Sequence, residues 1–71
     1  MPDTSAKEDP RVVRTRKLIE DTFLDLLAER HLQAITVGQI TQRARINRST
    51  FYDHFDDKYV LFDHIIRRTY Q

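Results

Sequence analysis

The strongest constraint on this chain is a pair of short segments that carry the same helix-start signal and lie only three residues apart. They fall in Ile35 to Lys58, which reads ITVGQITQRARINRSTFYDHFDDK. The T-V-G-Q at Thr36 is a capping box: the Thr36 side chain can accept from the Gln39 amide, and the Gln39 side chain can reach back to the Thr36 amide. Ile35 before the cap and Ile40 four residues into the helix form a hydrophobic staple. The signal repeats at Asn47, a strong N-cap type, with Ile46 before it and Phe51 inside. The pattern predicts one helix over 37–44 and another over 48–55, joined by a tight turn.

The rest of the chain fits around this unit. Asp9-Pro10 reads as an N-cap followed by proline in the first helical position, opening a first helix over 10–30. Ile19, Phe23, Leu26 and Leu27 form its apolar stripe, with Leu18 and Leu24 at the sides. Leu32 is the apolar anchor of the connection that follows. Asp56 or Asp57 caps a fourth helix striped by Leu61, Phe62, Ile65 and Ile66. Residues 1–9 lack periodicity and are expected to be a disordered tail. The chain stops at Tyr70-Gln71 with no C-cap signal, as though cut within a helix. One Gly, two Pro and no alternating strand pattern make an all-α fold the expectation. Its architecture should be a three-helix helix-turn-helix domain, homeodomain-like, plus the start of a fourth helix.

At 71 residues there is room for one small domain. No run approaches the ~18 apolar residues of a membrane span, and the start lacks an apolar signal region. The absence of cysteine leaves neither disulfides nor thiolate metal sites. His31, His54 and His64 lack metal-ligand spacing, and there is no phosphate-cradling glycine loop or nucleophile set. The expectation is therefore a non-enzyme without cofactors.

The net charge of +1 is uninformative, but its distribution is not. Arg11, Arg14, Arg16 and Lys17 crowd one stretch without an acid among them, at a helix start where the dipole disfavours cations. Arg43, Arg45 and Arg48 sit in the helix-turn-helix with only Asp53 against them. Acids collect elsewhere, at Glu20, Asp21, Asp25 and Glu29, and at Asp56, Asp57 and Asp63. Arg14 and Lys17 are either a solvated face or contacts to a polyanion.

Stepping ~100° per residue from Phe51 places Phe51 and Phe55 together on the core side of the third helix. Ser49 and Asp53 then point outward, Thr50 and Tyr52 flank them, Arg48 stands in the first turn, and His54 lies near the core edge. Such a helix can enter the DNA major groove. Arg48 could pair with guanine, and Asp53 could accept from cytosine or be a bystander. The flanking hydroxyls could reach phosphate walls, and Lys58 is placed to touch the backbone. Free amides around Val37 and Gly38 form a potential anion site, which the missing Gly38 side chain leaves open. By spacing alone Tyr52 could equally be a surface tyrosine, and His54 a structural residue. The rival reading is a protein-interaction module that docks a partner through Leu61, Phe62 and Ile66 on the fourth helix.

The stretch from Arg14 to Leu61 resembles the DNA-binding domain of the TetR/AcrR family of bacterial transcriptional regulators. The resemblance rests on T-x-x-x-I-E-D-T-F-L-D-L-L from Thr15, on ITV at Ile35 and on INRSTFYDHFDDK ending at Lys58. Its most specific part is Tyr52, Asp53, His54 and Phe55 followed by Lys58. It implies a helix-turn-helix domain over 10–57. Residues 58–71 would begin a helix leading to an absent domain for dimerisation and ligand binding. Phosphate contacts are implied for Thr36, Thr50, Tyr52, His54 and Lys58, and base-facing positions for Arg48, Ser49 and Asp53. Also implied are a near-palindromic duplex operator, a homodimer, a small-molecule effector, a repressor role and a bacterial cytoplasmic location; the fragment alone should be a monomer. Two positions depart from the family's usual pattern. Arg45 stands where many members have Gly, and Thr41 where many have Ala. A left-handed Arg45 would cost roughly 1–2 kcal/mol, and the Thr41 hydroxyl could crowd the packing of the second and third helices.

Overall fold

A computed structural model describes residues 9–69; the expected N-terminal tail, apart from Asp9, lies outside them. Four α-helices follow in order, α1 (Pro10–Leu27), α2 (Val37–Ala44), α3 (Arg48–His54) and α4 (Lys58–Thr69), with a single 3₁₀ turn at Leu32–Ala34. No strand occurs among the described residues.

Helix α1 begins as its sequence dictates. Asp9 Oδ1 accepts from the Arg11 amide at 2.8 Å, and Pro10 occupies the first position. Arg11 hydrogen-bonds the Asp9 carboxylate through its side chain and its amide, which holds that carboxyl below the usual range. The helix ends at Leu27, three residues short of the expected 10–30. There the Glu29 and Arg30 amides converge on the Leu26 carbonyl, each at 2.9 Å, and the helix tightens into a turn.

The turn leads to Ile35, fully buried, and then to the capping box. Gln39 N donates to Thr36 Oγ1 at 3.0 Å, and Thr36 N donates to Gln39 Oε1 at 3.1 Å. Helix α2 closes on Arg45, which is left-handed at φ 61°, ψ 46°. Its amide returns to the Gln42 carbonyl at 3.3 Å and that of Ile46 to the Thr41 carbonyl at 3.0 Å. This is a Schellman closure built on arginine where glycine would be relaxed. Thr41 is buried, but its hydroxyl donates to the Gly38 carbonyl at 3.2 Å, so no hydrogen-bonding group is stranded.

Asn47 occupies the N-cap of α3 without a side-chain cap bond. Its carbonyl, not its amide side chain, receives the Thr50 and Phe51 amides at 3.1 and 3.2 Å. Helix α3 ends at His54, one residue before the expectation, because Phe55 turns extended. Asp57, rather than Asp56, caps α4, its Oδ1 accepting from the Tyr59 and Val60 amides at 2.8 and 2.9 Å.

These starts and stops aim one face of each element at a common core of Ile19, Phe23, Leu26, Ile35, Ile40, Phe51, Phe55 and Leu61. Leu27, Leu32, Val37, Ile46, Phe62 and Ile65 pack around it. Phe51 and Phe55 lie with ring centroids 6.0 Å apart, and Phe62 of α4 meets Phe23 of α1 edge-on at 6.2 Å. Full burial of each such ring contributes about 1.5–3 kcal/mol, against a net stability of roughly 3–5 kcal/mol for a domain this size.

Polar fasteners hold the same elements. Arg43 of α2 forks onto Glu29 after α1, with Nη–Oε distances of 2.8 and 3.0 Å. The hydrogen-bonded fork pushes the Glu29 carboxyl below its ordinary value and raises the guanidinium of Arg43. Glu20, expected among solvated acids, is buried on α1 and bonded by two α4 residues, His64 Nε2 at 2.9 Å and Arg68.

Candidate nucleic-acid interface

Helix α3 presents two unlike faces. Phe51 has no exposed surface, whereas Ser49, Tyr52 and Asp53 are exposed. Thr50 and His54 are half-buried on the flanks. Tyr52 is 49% exposed, yet its ring stands edge-on against Phe51 at 5.4 Å, so a solvent-facing side chain is anchored by the core. Packing that hides the phenyl rings thus fixes which polar atoms remain free.

The start of α2 adds a second patch. Thr36 Oγ1 accepts from Gln39, which leaves its own proton available to an acceptor. The Val37 and Gly38 amides lie in the first turn, where no intrahelical acceptor exists. Arg48 of α3 brings its guanidinium over this turn: a methyl added at Gly38 would sit 2.8 Å from an Arg48 Nη. Thr36, Gly38 and Arg48 therefore lie together, with Val37 beside them in the chain, and the bare Cα of Gly38 leaves room for the guanidinium over the turn. The sequence suggested an anion site at α2 and a base reader at Arg48 separately; the fold makes them neighbours. Arg48 is exposed and has no ion-pair partner among the described residues.

Three positions differ from expectation. Lys58 does not reach outward as a backbone contact. Its Nζ donates to the carbonyls of Leu32 at 2.7 Å, Gln33 at 3.2 Å and Ile35 at 2.6 Å. An ammonium has three protons, and here each has an acceptor. Lys17 pairs with Asp21 at 3.6 Å and lines a groove between α1 and α4 with Ile65 and Arg68, apart from α3. Arg16, which the sequence offered only as part of a basic cluster, instead shares a depression with Asp53 and His54. The signal was present: Arg16 is one helical turn beyond Val12, which lines the same depression. Arg14 is exposed and makes no ion pair among the described residues.

The fourth-helix stripe is largely occupied. Leu61 is fully buried and Phe62 packs on the core, so two of the three anchors of the protein-docking alternative are used inside the domain; the third, Ile66, is half-buried outside that cluster. No helix among the described residues is long and apolar enough to cross a membrane.

A capped short helix, a left-handed turn and a second helix with an uncovered polar face define a helix-turn-helix domain of the DNA-binding kind. The chain belongs to the tetR family of bacterial regulatory proteins, whose pattern it matches over residues 19–65. It is 47% identical over 62 residues to the uncharacterized HTH-type transcriptional regulator YxbF of Bacillus subtilis (strain 168). That match covers 86% of this chain and 16% of YxbF. It is 34% identical over 56 residues to the HTH-type dhaKLM operon transcriptional activator DhaS of Lactococcus lactis subsp. lactis (strain IL1403), covering 79% of this chain and 30% of DhaS. A third relative, the uncharacterized HTH-type transcriptional regulator YdeS of Bacillus subtilis (strain 168), is 35% identical over 54 residues, 76% of this chain and 27% of that protein. The chain thus spans less than a third of the length of these relatives. No solved structure matches. The family is one of regulators that bind DNA rather than of enzymes.

Proposed function

We propose that this domain binds duplex DNA with α3 in the major groove and the start of α2 against the flanking backbone. The uncovered side of α3, set beside the Thr36–Gly38 corner and Arg48, carries the reading. Ser49 and Asp53 face base edges, and Arg48 reaches a guanine from the first turn of α3. Thr36, Val37, Gly38, Thr50, Tyr52 and His54 receive phosphates, joined by Arg14 at the margin. Lys17 and Lys58, also offered by the sequence, lie in the DNA-free domain against Asp21 and against backbone carbonyls. Residues 10–57 form the DNA-binding unit, and 58–71 begin a helix leading to a further domain. The whole protein is a cytoplasmic bacterial homodimer that reads a near-palindrome with half-sites about one helical turn or more apart. A small-molecule effector bound to the further domain relieves repression; DhaS is named an activator, so a reporter assay of the full-length protein must establish the sign.

Selection from randomised duplex DNA, with Arg48→Ala in parallel, tests the base contact. The variant should lose preference at one position, a discrimination of about 1–3 kcal/mol. Unchanged preference refutes that role. Affinity should also fall as salt rises, with a shallow slope set by the few cations that neutralise phosphate.

A further inference from the structure

Arg45 is the one residue at positive φ among the described residues. The left-handed region strains an L-residue and suits glycine, and asparagine enters it more readily than arginine. Nothing inside the domain offsets that strain. The Arg45 side chain is exposed and makes no ion pair among the described residues. The dipole of α2 favours a cation at its end, but Arg43 already stands in its last turn. Strain with no internal compensation marks residues that meet something outside the fold.

The fold limits what that is. Ala44 before it is buried and Ile46 after it packs around the core, so the side chain between them is turned outward. Arg45 stands three residues before Arg48, where α3 begins. A chain spans at most about 3.6 Å per residue, and the major groove is about 8.5 Å deep. With α3 at the base edges, Arg45 therefore stands no farther off than about the phosphate rim. The Arg48 guanidinium lies over the first turn of α2, at Gly38, whereas Arg45 closes its last turn. The two cations mark opposite ends of an eight-residue helix. Such a helix is about 12 Å long, close to the width of the major groove. Laid across the groove above α3, α2 would meet one phosphate wall with its first turn and the other with Arg45.

We propose that Arg45 is a further phosphate contact: with the start of α2 on one wall of the groove, its guanidinium holds the backbone of the other. A guanidinium presents a planar fork of donors that matches two phosphate oxygens. The proposal rests on the DNA-binding reading and adds a residue that the sequence offered only as part of a charge cluster.

The test measures thermal midpoint and duplex affinity for the unaltered chain, Arg45→Gly, Arg45→Gln and Arg45→Lys, the affinity from about 50 to 200 mM salt. The probe is a duplex that the unaltered chain recovers from a randomised pool. Arg45→Gly should raise the midpoint and yet weaken binding, a split that a purely structural residue does not produce. Arg45→Gln removes the charge but leaves the turn strained, and should weaken binding to a similar extent. Each of the two should lose about 0.9 from the slope of log affinity against log salt, so that its deficit shrinks about threefold across the series. Arg45→Lys should retain the slope, and base preference should be the same for all four chains. An unchanged slope in Arg45→Gly and Arg45→Gln overturns the proposal. So does a lower midpoint for Arg45→Gly, or a change of base preference at one position. Failure of the unaltered chain to bind any duplex at low salt removes the DNA-binding reading and this proposal together, a result distinct from every variant outcome.

Discussion

Arg45 holds a conformation that costs an L-residue roughly 1–2 kcal/mol and glycine almost nothing. Its side chain makes no ion pair among the described residues, so little offsets the strain. Arg45→Gly should raise the thermal midpoint by the equivalent of up to about 1 kcal/mol, after the larger unfolded-state entropy of glycine is subtracted. Differential scanning calorimetry checks this; a lower midpoint would mean the arginine stem contributes packing of its own. Spacing showed only that a tight turn joins the two capped helices; its left-handed residue was signalled by the resemblance, in which many members have Gly where this chain has Arg45. The seats of Arg48 and Lys58 were signalled by neither. Both are long side chains whose charged ends settle on whatever tertiary neighbours provide, and spacing along one helix carries no record of Gly38 or of the Leu32 and Ile35 carbonyls.

Between elements, two charge pairs set how α1 meets its neighbours. Glu20 is nearly inaccessible while its partners His64 and Arg68 remain partly exposed. Glu20→Ala should therefore cost about 1–2 kcal/mol, the loss of charged hydrogen bonds without stranding a buried cation. The loss should show first as faster amide hydrogen exchange in the last turns of α4; exchange accelerated equally in all helices would contradict a local fastening. The Glu29–Arg43 pair gives an acid-sensitive link. The folded carboxyl titrates below its ordinary 4.5, so the stability it contributes is present above that value and disappears as pH falls through the folded one. The gap in thermal midpoint between the wild type and Glu29→Gln should shrink toward zero in acid and in high salt, since the pair is exposed. Element boundaries were readable wherever a cap was local, as at Asp9 and Thr36, while two adjacent aspartates left the start of α4 open between Asp56 and Asp57. Boundaries slipped at Leu27 and His54, where backbone convergence and an extended Phe55 ended the helices. Glu20 escaped because its partners come from α4; the only hint was His64 and Arg68 lying four apart, side by side on one helix face.

For the molecule as a whole, the apolar pattern sufficed to specify the fold, since nearly every residue read as inward, from Ile19 to Leu61, is in the core. What it could not specify was which cations remain available. Acting alone, the domain should load each half of a palindrome independently, because the 10²–10⁴ gain of two joined sites is absent. Titration of a labelled palindrome should show two equal, uncooperative steps; tight paired loading would point to dimerisation within these residues. Among the described residues most basic side chains already have partners: Arg11 with Asp9, Lys17 with Asp21, Arg30 and Arg43 with Glu29, Arg67 with Asp63, Arg68 with Glu20, and Lys58 with backbone oxygen. Few are left to displace counterions from an arbitrary sequence. A domain so sparing of free positive charge should dwell only briefly on wrong sequences, and its discrimination then comes as much from a weak grip on random DNA as from a strong one on its target.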